Sequence, residues 1–188
     1  DSANGFTKGI AYTSGNFSGV KLIRASSNPY EAIWGNHDAV DLYDDYTVEV
    51  DIRPTSTSTM AGLFFRNDST SNAGYYLSIS NDGGDTRVRL RYDGNLTDSG
   101  TYTNLYSVNT GYTFSTAAVY HLVVTANGST ISFEVYRTWI STGVTALISS
   151  GSVTTTTRRT GGPGFYLYNS SYNNWNAYFD NFEICNLP

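Results

Sequence analysis

The stretch YTVEVDIRP, running from Tyr46 to Pro54, sets Glu49 and Asp51 two residues apart. Strand neighbours at that spacing share a face at roughly 7 Å between Cα atoms, within reach of the paired carboxyl chemistry that cleaves glycosidic bonds. The same spacing suits a solvated sheet face on which Glu49, Asp51 and Glu134 meet arginines in cross-strand ion pairs. Other groups able to do acid–base or nucleophilic work are sparse. His37 in WGNHD and His121 in YHLVV have no nucleophile beside them, and no G-x-S-x-G elbow occurs. Both histidines therefore read as structural. Cys185 is the single cysteine, so no internal disulfide forms, and it reads as a small apolar core residue. Clusters of Cys and His with zinc-ligand spacing are absent from the sequence.

A second group of residues suits recognition rather than bond breaking. Sugars are held by aromatic planes under the apolar ring faces and by amide, carboxylate or guanidinium groups at the hydroxyls. The segment YLYNSSYNNWN, from Tyr166 to Asn176, supplies both kinds through Tyr168, Tyr172, Asn174 and Trp175. Trp34 in IWGNHD is a further candidate of the same type, whereas Trp139 in VYRTWI reads as a cap on the core. Arg66 ends FFR, and Tyr76 follows on the next run with its side chain outward. The two are expected to share a polar pocket whose guanidinium fork takes vicinal hydroxyls or a uronate carboxylate. The competing reading for Arg66 is an ion pair with Asp68 or Glu134.

Strands must position these groups. Apolar and polar residues alternate in short runs between clusters of Gly, Asn, Asp and Ser, and no segment keeps a helical period over three turns. The clearest runs are 47–53, 60–66, 74–80, 86–92, 119–125, 130–136, 146–153, 164–168 and 177–184. So many strands imply two packed antiparallel sheets. Asn127-Gly128 and the DGG at Asp82 to Gly84 mark hairpins. Parity turns Val48, Val50 and Ile52 inward and sends Glu49, Asp51 and Arg53 out. In RVRLRY it sends Arg87, Arg89 and Arg91 out, so the outward surface is expected to mix both signs of charge. In FDNFEI, parity counted from Phe182 and Ile184 turns Asp180 inward. Asp98 to Ser115 reads as a long loop, and the first forty-odd residues are less regular.

With 188 residues and no linker or repeat, residues 1–188 form one domain. Aromatics make up 15% of the chain and charged residues only 14%, which leaves a surface suited to neutral, hydroxyl-rich partners. The net charge of −5 and a total of only 11 Lys and Arg argue against nucleic acid or an anionic membrane as partner. RVRLR is the local exception. No apolar run of about 18 residues occurs, so membrane insertion by a helix is not expected. A start at Asp1 without Met fits a processed secreted protein or an excised domain.

Taken in order, DYTVEVDIRP, AGLFFRND, AGYYLSISNDGGDTRVRLRYDG, YHLVVTANGSTISFEVY and GGPGFYLYNSSYNNWNAYFDNFEI resemble the concanavalin A-like or laminin-G-like sandwiches over about residues 40 to 184. The likeness is strongest to family 66 carbohydrate-binding modules and related glycosidase-associated domains. It implies an all-β, two-sheet antiparallel jelly roll. Family 16 glycoside hydrolases on this fold carry E-x-D-x-x-E or E-x-D-x-E on one strand. Glu49 and Asp51 match the first two places, but Arg53 and Pro54 stand where the third acid belongs. The alginate-lyase set usually includes Q-I-H, and this chain contains no Gln. The resemblance thus implies a secreted, non-catalytic, lectin-like module that binds a polysaccharide and is attached to a larger enzyme or surface protein. A glycoside hydrolase or polysaccharide lyase, and a laminin-G-like adhesive domain that binds protein, are the alternatives. Similar modules hold a structural Ca2+ with an Asp in the last strand, which would be Asp180 here.

Overall fold

Alternation of period two shapes the elements. In YTVEVDIRP every second residue is buried, and Val48, Val50 and Ile52 are fully enclosed. Burying such a side chain is worth about 1.5–3 kcal/mol, so a strand of this pattern is held by its inner face. The structure is a computed structural model. It describes residues 6–14, 17–24, 45–67, 73–94, 102–168 and 176–187, with side chains for 45–67, 73–94, 102–167 and 177–187.

The strands in chain order are β1 (Phe6–Ser14), β2 (Phe17–Arg24), β3 (Tyr46–Pro54), β4 (Met60–Asn67), β5 (Gly74–Asp82) and β6 (Asp85–Asp93). They continue with β7 (Tyr102–Thr113), β8 (Ala118–Asn127), β9 (Thr130–Trp139), β10 (Thr145–Thr154), β11 (Gly162–Tyr168) and β12 (Asn176–Asn186). Among the described residues, seven strands form one sheet in the order β1-β2-β12-β3-β8-β9-β10, and five form the other in the order β11-β4-β5-β6-β7. Every recorded pair is antiparallel. One core joins the sheets: Val48, Ile52, Leu122 and Val124 from the first meet Leu63, Leu77 and Leu90 from the second. The fold is a two-sheet antiparallel sandwich of jelly-roll type.

The expected hairpins form. Gly128 takes a φ of 55° at the turn between β8 and β9, a conformation that carries little steric cost without a Cβ. At the same end of the sandwich, Asp45 Oδ1 accepts from Gly128 N at 2.6 Å and from Arg66 Nη2 at 3.3 Å. The Tyr46 hydroxyl accepts from Arg66 N at 2.7 Å and donates to the Gly161 carbonyl at 3.1 Å. Burial pushes this phenol well above the usual tyrosine range.

Four sequence expectations need correction. Much of the segment taken as a long loop is the edge strand β7, whose exposed polar face and low apolar content disguise it. The N-terminal region contains the hairpin of β1 and β2. Asp180 faces outward, because the register of β12 on β3 shifts between Asp180 and Glu183, with Asn181 at a φ of 50°. The bulge inserts one extra residue into the alternation, so parity counted back from Ile184 turns the wrong face inward. Ala177 and Phe179 are the buried residues of this segment, and Asp180 opposes Asp51. Cys185 is likewise exposed, with Sγ 3.5 Å from Glu183 Oε1, rather than a core residue.

Candidate functional site

Strand register turns the outer face of the seven-stranded sheet into a grid. Across β12, β3, β8, β9 and β10, one row is Asp180, Asp51, His121, Tyr136 and Leu147. The next is Glu183, Glu49, Val123, Glu134 and Ser150. An open depression of about 620 Å³ lies over the grid, lined by Glu49, Asp51, His121, Val123, Glu134, Tyr136, Thr138 and Thr145. Val123 and Glu134 also border a second hollow of about 450 Å³ that reaches Thr125, Ser132 and Ser150.

Hydrogen bonds hold the side chains of this surface. His121 Nδ1 lies 2.8 Å from Asp51 Oδ1, and Nε2 lies 3.6 Å from Glu49 Oε2. The second Asp51 oxygen accepts from Asn181 Nδ2 at 2.7 Å. The hydrogen bond to Asp51 raises the His121 pKa above its ordinary value, despite an opposing contribution from burial. Tyr136 donates its hydroxyl to Glu134 Oε2 at 2.7 Å, which pushes the Tyr136 pKa up. Its ring centroid stands 6.1 Å from that of His121. The surface is rich in acceptors, carries several carboxylates around one imidazole, and offers Tyr136 and Val123 as apolar patches. Such a surface suits a hydroxyl-rich, uncharged ligand and repels an anionic one.

For bond cleavage the arrangement is less complete. Both Asp51 oxygens are already bonded, and the next outward residue of β3 is Arg53. Its Nε donates to the Thr116 carbonyl at 3.5 Å, and its guanidinium lies 6.0 Å from the Tyr178 ring centroid.

The residues singled out in sequence separate in the structure. Arg66 is fully buried at a φ of 49° and forms an ion pair with Asp45 at 3.3 Å rather than with Glu134, and Asp68 lies outside the described residues. Tyr76 opposes Phe64 on the outer face of the five-stranded sheet, where it is only 3% exposed. Its ring stacks on Tyr166 at 4.6 Å, and its hydroxyl accepts from Arg91 Nη1 at 3.3 Å. The expected Arg66–Tyr76 pocket therefore gives way to separate partners for each, because the left-handed residue redirects Arg66. Tyr168 ends β11, but its side chain is not among those described. Trp34, Tyr172, Asn174 and Trp175 lie outside the described residues. Trp139 does pack against the core, with Arg137 4.5 Å from its ring centroid. Among the described residues no group of three His, Cys, Asp or Glu is placed to hold a metal ion. Asp180, the expected calcium ligand, is turned outward and stands opposite Asp51.

The expected mixture of charges also separates by sheet: the acids occupy the seven-stranded face and the RVRLR arginines the five-stranded one. The sequence reads His121 as structural and gives Tyr136 no role at a site. The Asn127-Gly128 turn carried the signal, since closing it pairs Asn127 with Thr130 and so sets His121 opposite Tyr136.

No protein-family model and no curated protein sequence matches the chain. Solved structures match its fold. A family 66 carbohydrate-binding module from Bacillus subtilis superposes with a TM-score of 0.57 at 17% identity, over 96% of this chain and 95% of that one. A protein of unknown function from Saccharomyces cerevisiae gives a TM-score of 0.58 at 11% identity, over 97% and 94%. A family 43 glycoside hydrolase from Bacillus licheniformis gives 0.55 at 12% identity, over 90% of this chain but only 33% of the enzyme. At such identities the likeness concerns the fold.

Proposed function

We propose that this chain is a non-catalytic carbohydrate-binding module, and that the outer face of its seven-stranded sheet takes a neutral polysaccharide. One observation carries the reading: an open depression lined by Glu49, Asp51, His121, Glu134, Tyr136 and two threonines, in which hydrogen bonds fix Asp51 to His121 and Glu134 to Tyr136. The carboxylates accept sugar hydroxyls, the threonines accept and donate, and Tyr136 offers a ring for the apolar face of a pyranose or furanose. The carboxylates disfavour uronates and sulfated sugars at this face. Likeness to a carbohydrate-binding module over nearly the whole of both chains supports the reading. We place the module outside the cell, on a larger polysaccharide-degrading or surface protein.

Affinity electrophoresis across neutral plant, algal and microbial polysaccharides tests this directly. Tyr136→Ala should weaken binding about fivefold, since an aromatic contact is worth about 1 kcal/mol, and Glu134→Gln should weaken it as well. Unchanged affinity in both, with loss in Trp175→Ala, moves the site to the Asn-rich segment. The enzymatic alternative rests on Glu49 and Asp51 sharing the groove. Release of reducing sugar or unsaturated product, abolished by Glu49→Gln, would establish it in place of the binding reading.

A further inference from the structure

The seven-stranded face leaves RVRLR unused. Register places Arg89 between Ser78 and Ser107 on the outer face of the five-stranded sheet, Arg87 between Ser80 and Asn109, and Arg91 beside Tyr76. Arg87 is neutralised by Asp82 at 2.7 Å. Among the described residues Arg89 and Arg91 form no ion pair. Arg89 Nη1 donates to Ser80 Oγ at 2.5 Å, with the Met60 sulfur at 3.7 Å. Arg91 Nε donates to Asn104 Oδ1 at 2.6 Å, and its guanidinium lies 4.0 Å from the Tyr102 ring centroid. Uncharged groups thus orient both forks without cancelling their charge. The Ser78 hydroxyl, next to Arg89 in the row, is buried and has no hydrogen-bond partner. Burial first, and then Arg91 and Arg87, lower the Arg89 pKa, a sign of positive charge crowded in a place short of solvent.

We propose that this face is a second site, independent of the first, which binds the oxyanion of an acidic saccharide through Arg89 and Arg91. A carboxylate or sulfate ester meets a guanidinium fork in a bidentate, charge-assisted pair. Ser107 and Asn109 lie beside the forks for neighbouring hydroxyls, and Tyr102, 46% exposed, offers its ring to the sugar. Asp82 and the buried Asp93 bound the strip at its two ends. The uncancelled charge is therefore two guanidinium groups wide, the scale of one substituted sugar residue. A phosphodiester track needs cations repeated along its length.

Titration calorimetry with oligogalacturonides, sulfated galactan oligosaccharides and a single-stranded oligonucleotide tests the site, and the first two arms separate carboxylate from sulfate. Binding of either saccharide that falls at least tenfold in Arg89→Gln, and less in Arg89→Lys, supports the site. Glu134→Gln should leave this affinity unchanged, which separates failure here from failure at the other face. If Arg89→Gln lowers the melting temperature, Arg91→Gln reads the same site from a more exposed position. Absence of saccharide binding, retained affinity in both glutamine variants, or equal affinity for the oligonucleotide overturns the proposal.

Discussion

His121 shows how one side chain ties charge to stability. It is flanked by Asp51 and Glu49, and the hydrogen bond to Asp51 raises its pKa in the folded protein. A group whose folded pKa lies above its unfolded value stabilises the fold fully below the unfolded pKa. That contribution fades as pH rises through the folded value. His121→Gln should therefore melt below the parent protein at about pH 5.5, and the gap should close by about pH 9. One third of the side chain is exposed, so the pair is worth about 1 kcal/mol or less, or about 2–4 °C at most in a chain of this size. A gap that widens with pH would show that Asp51 does not hold the protonated ring. The same proton bears on the site, because His121 presents two donors when charged and one when neutral.

At the scale of the element, β12 decides which groups reach the acidic face. Its bulge lets Phe179 stay in the core while Asp180 and Glu183 both line up against β3. Asn181 makes the bulge possible: a short amide tolerates the left-handed region, and here it also donates to Asp51. Asn181→Val should cost about 1–2 kcal/mol from backbone strain, because a β-branched residue is poorly suited to that conformation. Asn181→Gly keeps the backbone and loses only the exposed hydrogen bond, so thermal melting should place it near the parent. Equal losses in the two variants would put the weight on the hydrogen bond. A different constraint acts at Gly62 on β4, where an added Cβ would run into the Leu77 carbonyl oxygen. There the close approach of β5 requires glycine, and Tyr166 and Tyr76 stack on the outer side of the same sheet.

The two outer faces of the sandwich differ in charge: Glu49, Asp51, Glu134, Asp180 and Glu183 share one sheet with Arg53, and Arg87, Arg89 and Arg91 line the other between Asp82 and Asp93. Packed sheets stand about 10 Å apart, and the side chains add to that separation, while the screening length at physiological ionic strength is about 8 Å. The two surfaces should act nearly independently. Raising salt from about 0.05 M to 0.5 M should weaken an acidic saccharide at the arginine face several-fold and change neutral polysaccharide binding less than twofold. Each ligand should bind with the other already in place. Competition between them in a displacement titration would mean that both use one face.

Much of this protein is legible one residue at a time. Period-two alternation was enough to place nine strands, to put Val48, Val50 and Ile52 in the core, and to turn Glu49, Asp51 and the RVRLR arginines outward, because a strand has only two faces. The Asn127-Gly128 turn determines its own hairpin register, because both partners lie next to each other in the chain. Three things depended on tertiary structure. Outward parity does not say which sheet a strand joins, so the apparent mixture of charges resolved into two faces only on folding. The β3–β8 register that brings His121 to Asp51 joins residues 70 apart in sequence, and no local turn encodes it. Left-handed residues at Arg66 and Asn181 break alternation where the surrounding fold outweighs local preference, sending Arg66 to Asp45 and Asp180 to the surface.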